Sequence, residues 1–484
     1  MMTSLVQNYG VYIDGTWVES DSGRYDVTDP TTEQVIATAP DAGVGQVEQA
    51  IAAARRAFDS GPWAGATPQE RSRCLQQLSD ALLAHADEFY ALAQTEWGCT
   101  ANERLIQIDG PAFMAGHAAE LALEPVEEPM DAWGAAGTTL LRYEPLGVVG
   151  VMTPWNFPHT LNVMKLRAAL AAGNTVVLKP SPLTPLAGLA LARIIHEETD
   201  FPPGVVNVVT PSGIEASKVL ATDPRVDMVS FTGSSAVGRD VMAGAASTMK
   251  RLLLECGGKS AAILLDDVEF TDELAERLLF EGCTLHAGQA CILNSRLLVP
   301  ASRHDEVVGK LSELARAVKV GDPRDDTVGM GPLISAAHLE RVEGLVDRAV
   351  RDGATVVVGG KRPKDVDTGH FYEPTILTDA TPDSYIAQEE VFGPVLTVLR
   401  YESDDDAVAI ANNSQYGLSG AVWGTDVDRA VAVARRLRTG QVSINGTVSG
   451  DAPFGGFKQS GLGRENGMMG LRTYMEPKVI GVPA

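Results

Sequence analysis

A cysteine becomes a nucleophile only where it can be reached and where backbone amides or a cation favour its thiolate. Among the 5 cysteines, Cys291 alone sits in a run of small residues, His286-Ala287-Gly288-Gln289-Ala290-Cys291, where a predicted helix ends. A bend there lets N–H groups point at the sulfur or at an oxyanion formed beside it. A lone cysteine is more often a small buried hydrophobe, and Cys74, Cys99, Cys256 and Cys283 take that reading. Glu255 ends the apolar run from Arg251 and leads into Cys256-Gly257-Gly258-Lys259-Ser260. A carboxylate leaving a buried strand into a glycine turn is a candidate general base with a raised pKa, against the plainer reading of a surface charge at a strand end. The Gly-Gly-Lys-Ser tail is not a phosphate loop, because Leu253 stands where that motif requires glycine.

Two further stretches suit a bound phosphate or ribose. Phe231-Thr232-Gly233-Ser234-Ser235-Ala236-Val237-Gly238 follows a predicted strand and opens a helix, whose free N-terminal amides attract an anion. Lys179-Pro180-Ser181-Pro182 also ends a strand, the edge where open α/β sheets bind ligands. No metal site is expected. His196-Glu197 begins a zinc helix motif, but Asp200 occupies the second histidine position.

These residues must be carried by a sizeable fold. The 484 residues, 45% hydrophobic and 21% charged, imply two to four domains and exclude disorder, collagen and coiled coil for the whole chain. Lys plus Arg number 39 against 63 Asp plus Glu, a net charge of −24. Such a chain repels nucleic acid and anionic lipid. The uncharged run from Pro145 to Met164 holds 3 prolines and cannot span a membrane. With no secretion signal evident in MMTSLVQNYGVYIDG, a cytoplasmic protein with reduced thiols is expected.

Helices are expected first, from about Val44 to Phe58 and from the capping box Thr67-Pro68-Gln69-Glu70 to about Phe89. From residue 147 short apolar strands (147–152, 175–178, 205–209, 228–231, 251–254) alternate with helices (160–172, 185–199, 213–222, 235–246). That rhythm predicts a parallel sheet covered on both faces. A second series follows, with strands near 261–265, 296–299, 354–358, 395–399 and 441–444 and helices at about 271–286, 303–316, 335–351 and 426–438. The reading is an α/β protein with two doubly wound domains. Glu127–Tyr143, with Gly134 and Gly137, and Thr473–Val482 fit neither series. They read as strands for pairing between subunits.

In order and wording these pieces resemble the aldehyde dehydrogenase superfamily over essentially the whole chain. The matching stretches are Pro154-Trp155-Asn156-Phe157-Pro158, Lys179-Pro180-Ser181, Phe231–Gly238, Glu255 with Gly257-Gly258-Lys259, and Gly288-Gln289-Ala290-Cys291. Further on come Glu389-Glu390-Val391-Phe392-Gly393-Pro394, Asn445-Gly446, and Pro453–Lys458 continuing through Ser460–Glu465. The resemblance implies a Rossmann-like NAD(P) domain over 1–126 and 146–255, a catalytic domain over 256–460, and oligomerisation strands at 127–145 and 470–484. Cys291 would attack the aldehyde, Asn156 and the Cys291 N–H would hold the oxyanion, and a thioester would follow. Glu255 would activate water, with Lys165 and Glu465 relaying its proton. Thr153, Pro154, Trp155, Lys179, Ser181, Gly213, Gly233, Ser234, Val237, Glu390 and Phe392 would contact the cofactor.

The departures shape the remaining expectations. Pro182 replaces a glutamate with which many relatives reject NADP, so NAD is expected with NADP possible; no cation adjoins Lys179 in sequence to hold a 2′-phosphate. His286 replaces a usual asparagine. Glu255 and Cys291 stand about two residues further apart than is typical, a length assigned to the helix near 271–281. The tunnel positions are Phe157, Leu161, Met164, Leu285, Val448 and Phe454, an uncharged slot for an aliphatic, aromatic or terpenoid aldehyde. Met164 and Leu285 replace the arginines of succinic semialdehyde relatives, and the tryptophan of betaine aldehyde specialists is absent at Met164. The alternatives are a coenzyme A-acylating or semialdehyde enzyme on the same fold, or a non-catalytic binding protein. The implied assembly is a homo-oligomer, a tetramer in preference to a dimer.

Overall fold

The computed structural model describes residues 9–130 and 137–483. Five parallel strands form the centre of the first sheet, in the order Arg251–Glu255, Met228–Thr232, Val148–Met152, Thr175–Lys179 and Val206–Val208. Short antiparallel strands extend it, Gly461–Leu462 on one side and Val11–Ile13 with Thr16–Val18 on the other. Alternate side chains pack on opposite faces. Val149, Val151, Val176 and Leu178 meet the helices Pro68–Ala84, Gly110–Leu121, Pro158–Ala172 and Pro185–Glu198. Val148, Met152 and Val177 meet Val47, Ile51 and Leu220 of the helices Val44–Asp59 and Ile214–Thr222. Coverage on both faces explains why these strands read as unbroken apolar runs.

The chain then crosses to the second sheet within Cys256–Ser260. That sheet has the order Thr355–Val358, Thr375–Thr378, Val395–Tyr401, Arg296–Pro300, Ala261–Leu264, Gly420–Trp423 and Ser443–Ile444, with only the first pairing antiparallel. The crossing joins the C-terminal end of Arg251–Glu255 to the N-terminal end of Ala261–Leu264. Glu127–Met130, Thr138–Pro145 and Met475–Val482 form a separate antiparallel sheet. Among the described residues no helix is long and apolar enough to cross a membrane.

The structure corrects several boundaries. Four strands precede the first helix, Val11–Ile13, Thr16–Val18, Arg24–Thr28 and Val35–Pro40; their short or half-exposed runs carry little periodic signal. The helix opened by Thr67 stops at Ala84, not Phe89, and a new one runs Ala86–Glu96. His85 breaks the run with φ −103 and ψ 14, and its ring joins Glu88 at 2.8 Å and Glu198 at 2.6 Å. The expected helix 271–286 is regular only over Asp272–Leu279; a wide i→i+5 turn over Phe280–Thr284 and a left-handed turn replace its end. The strand 441–444 shortens to Ser443–Ile444, and Thr473 closes a helix before the last strand begins at Met475. Thr375–Thr378 and Gly420–Trp423, which complete the second sheet, were not expected. Gly134 lies outside the described residues.

Leu178 is 0% exposed at the centre of the first sheet. Leu178→Ala removes packing on an unyielding layer and is expected to cost about 2–5 kcal/mol of stability. A urea midpoint equal to that of the parent protein would contradict this placement.

Candidate active site

In open parallel sheets ligands bind beyond the carboxyl ends of the strands, where the direction of winding reverses. Here the reversal lies between Val148–Met152 and Met228–Thr232. A cavity of about 240 Å³ opens there, walled by Pro154, Trp155 and Asn156 on one side and Thr232, Gly233 and Ser234 on the other. Ser234 caps the helix Ser235–Ala245, its hydroxyl accepting from Val237 N at 3.3 Å. The far wall comes from the second sheet: Cys291, Glu390, Phe392, His338 and Arg341. Lys179 and Ser181 end the adjacent strand outside this cavity. Lys179 is buried, donates to Pro180 O at 3.0 Å, and burial lowers its pKa to about 8. Thr153 supports the wall from behind, donating to Asn162 Oδ1 at 2.6 Å. Gly213 starts an exposed helix end, and Val237 is 47% exposed; neither lines the cavity.

Cys291 is the only described cysteine that is not buried. It follows a turn in which His286 (φ 49), Ala287 (φ 51) and Gly288 (φ 76) are all left-handed. At Gly288 a Cβ would lie 2.0 Å from the Gly393 carbonyl, so no larger residue fits. Asn156 Nδ2 donates to Gln289 O at 2.8 Å, which fixes the amide beside the cysteine and leaves its second N–H free. Burial, with the Glu390 and Glu255 carboxylates nearby, pushes the Cys291 thiol well up.

Glu255 is 3% exposed, and neither of its oxygens has a hydrogen-bond partner. Burial, then repulsion from Glu465, raises its pKa well above the usual carboxylate range, while Lys165 pulls the other way. Behind it Lys165 Nζ pairs with Glu465 Oε1 at 2.7 Å and donates to Ser230 Oγ at 3.2 Å. Buried carboxylate, ammonium and carboxylate thus lie in one row, suited to holding and passing a proton. Glu390 sits on the glycine crossing: its Oε1 accepts from Gly258 N at 2.8 Å, and a Cβ on Gly257 would stand 2.3 Å from Oε2. Burial raises its pKa to about 7.

Two residues of this wall were missed in the sequence. On the helix Ala336–Arg351, His338 Nε2 donates to Phe392 O at 2.6 Å, and Arg341 donates to Val391 O and, at 2.9 Å, to Glu390 O. Together they hold the backbone around Phe392, whose φ is 58. The Trp155 ring lies 5.2 Å from His338 and 5.4 Å from Phe392. Their only sequence signal is the spacing of three, which puts both on one helix face.

The tunnel positions divide. Phe157 packs with Leu285, Ala290 and Leu293 beside the nucleophile turn. Leu161, Met164 and Phe454 are half-buried, and Val448 is 52% exposed. Leu105, Ile106 and Phe113 are exposed on the segment packed against Pro158–Ala172, and Thr160 Oγ1 donates to Ile106 O at 3.1 Å. Among the described residues no group of three His, Cys, Asp or Glu side chains is disposed to hold a metal.

Residues 17–480 match the model of the aldehyde dehydrogenase family. Betaine aldehyde dehydrogenase of Bacillus subtilis (strain 168) is 38% identical, covering 97% of this chain and 96% of the relative. Geranial dehydrogenase of Castellaniella defragrans is 39% identical, covering 98% and 99%. The crystal structure of Staphylococcus aureus betaine aldehyde dehydrogenase in complex with NAD+ superposes with a TM-score of 0.95 at 38% identity, covering 98% of this chain and 94% of that one. A match over nearly the whole length, with relatives at this level of identity, shows that the chain belongs to the aldehyde dehydrogenase family.

Proposed function

We propose that this chain oxidises an aldehyde to the free carboxylic acid with NAD, through Cys291. One observation carries the reading: Cys291, the Asn156 amide and Glu390 line one cavity, and the buried, unpartnered Glu255 carboxylate stands next in sequence to its wall residues Cys256 and Gly257. Glycines at 257 and 258 leave a cradle that any Cβ would fill, and in it the Glu390 carboxylate, held through Oε1 by Gly258 N, would meet ribose hydroxyls. Ser234 and the helix amides behind it would face the pyrophosphate, and Lys179 the adenosine ribose. NAD, when bound, supplies the hydride acceptor. The residues of the first sheet form the cofactor domain and those of 256–460 the catalytic domain.

Cys291 gives its proton to water in the open cavity and attacks the carbonyl carbon, giving a thiohemiacetal whose oxyanion takes the free Asn156 N–H and the Cys291 N–H. After oxidation a thioester remains on the sulfur. Glu255 takes a proton from water, the hydroxide attacks the thioester, and its C–S bond breaks to release the acid and leave Cys291 as the thiolate. Lys165 and Glu465 then carry the proton from Glu255. The unpartnered Glu255 favours water over coenzyme A as the acyl acceptor, and its presence with Cys291 and Asn156 argues against a purely structural protein.

Glu255→Gln is expected to lower kcat by about 10²–10⁴ while the first turnover still releases NADH in a burst. Because burial raises the pKa of Glu255, kcat falls as pH drops, and the acid limb lies above the ordinary carboxylate range. Steady-state turnover unaffected by the substitution, or acid formed only with added coenzyme A, would overturn the mechanism.

The cofactor preference is for NAD over NADP. Pro182 is neutral, and Lys179 already donates to its neighbour's carbonyl, so nothing cationic is assigned to a 2′-phosphate. The substrate is an uncharged aliphatic, aromatic or terpenoid aldehyde. The apolar Phe157–Leu285–Leu293 cluster and the similarity to geranial dehydrogenase support this, since an unpaired carboxylate or ammonium buried there would cost several kcal/mol. Hexanal and benzaldehyde are expected to outrank succinic semialdehyde and betaine aldehyde in kcat/KM. Preference by about tenfold for either charged aldehyde would overturn this, as one such difference is about 1.4 kcal/mol of transition-state binding.

The separate sheet supports a homo-oligomer, a tetramer in preference to a dimer, acting in the cytoplasm without nucleic-acid or membrane partners. Its edge strand Met475–Val482 carries Val479 and Val482 at 65% and 43% exposure. Light scattering is expected to give a multiple of 51.3 kDa; a monomer at micromolar concentration would refute it.

A further inference from the structure

A left-handed turn at His286 and Ala287 is unfavourable for residues with a Cβ and persists only where surrounding structure holds it. The hold comes from a distant carboxylate. Glu103, 1% exposed, lies in the short turn Ala101–Glu103 among the helices that cover the first sheet. Its Oε1 accepts from His286 N at 3.1 Å and from Thr100 Oγ1 at 2.9 Å. Its Oε2 meets His286 Nδ1 at 3.1 Å and accepts from Gln107 Nε2. Trp97 Nε1 donates to Gln107 Oε1 at 2.7 Å, which turns the Gln107 amide nitrogen toward the carboxylate. One carboxylate thus grips both the main chain and the ring of a single residue 183 positions away.

The other side of the His286 peptide is held as well. Gln289 Nε2 donates to His286 O at 3.0 Å, and the carbonyl of Gln289 receives the Asn156 amide at 2.8 Å. A set of hydrogen bonds therefore runs from Glu103 through His286 and Gln289 to the Asn156 amide, which lines the cavity with Cys291. We propose that Glu103 and His286 are positioning residues: the clamp between them sets the left-handed turn that aims Cys291 and Asn156 at the same carbonyl. It matters because a displacement of about 1 Å between reacting groups costs about 10²-fold in rate. The inference rests on Cys291 being the nucleophile.

The test compares Glu103→Ala, Glu103→Gln, His286→Ala and His286→Asn with the parent enzyme and with Cys291→Ser. For each, kcat and KM for hexanal, NAD affinity by fluorescence and Tm are measured. The alanine variants are expected to lose about tenfold or more in kcat, with KM and NAD affinity within about threefold of the parent. His286→Asn, whose amide still donates to Glu103 and which tolerates left-handed backbone, restores most of kcat. Unchanged kcat in the alanine variants, or a parallel loss of kcat, NAD affinity and Tm with no recovery in His286→Asn, overturns the clamp. Should the alanine variants fail to fold, Glu103→Gln and His286→Asn decide it: full kcat in Glu103→Gln overturns it. Cys291→Ser separates the two readings, since activity there sinks the nucleophile assignment whatever the clamp variants do.

Discussion

Everything in the site depends on a steric allowance of two residues. The chain leaves the first sheet at Glu255 and enters the second at Ala261, and in between Gly257 and Gly258 carry no side chain. A Cβ at Gly257 would meet the Glu390 carboxylate at 2.3 Å, and one at Gly258 would meet the Cys291 carbonyl at 2.4 Å. Close approach of backbone to backbone is what glycine permits at an entropic cost. Two sheets, each with its own covered core, can thereby bring Cys291 and Glu390 to one cavity, with Glu255 buried beside its wall.

The site is also held in unfavourable states that the surrounding core must outweigh. Glu255 is buried without a partner, a condition that disfavours its charged form and raises its pKa above the usual carboxylate range. His338 is kept neutral, its pKa lowered to about 4 by burial. Left-handed backbone at His286, Ala287 and Phe392 adds strain at the same place.

Much of the site was legible because its signals are local. A small-residue run before Cys291, a carboxylate ending an apolar strand at Glu255, and a serine opening a helix at Ser234 each state their geometry within a few residues. Positions whose role depends on a remote partner left less trace. His338 and Arg341 are ordinary polar residues of an amphipathic helix until the strand Val395–Tyr401 brings Phe392 beneath them. Val448 and Val237, placed by wording alone, are largely exposed.

The sequence by itself determined the fold class, since short apolar runs alternating with amphipathic helices admit only a parallel sheet covered on both faces. It also marked Cys291 and Glu255 as candidates for chemistry, because residue type and spacing single them out within one or two turns of chain. Only the tertiary structure decided the rest. It ended the Thr67 helix at Ala84, where the His85 ring is captured by Glu88 and Glu198. It set Glu390 on Gly258, 132 residues earlier in the chain, and Glu103 under His286. Such contacts have no period and no local preference; they exist because two independently packed layers meet along one seam, and nothing short of the packing specifies which side chains face each other there.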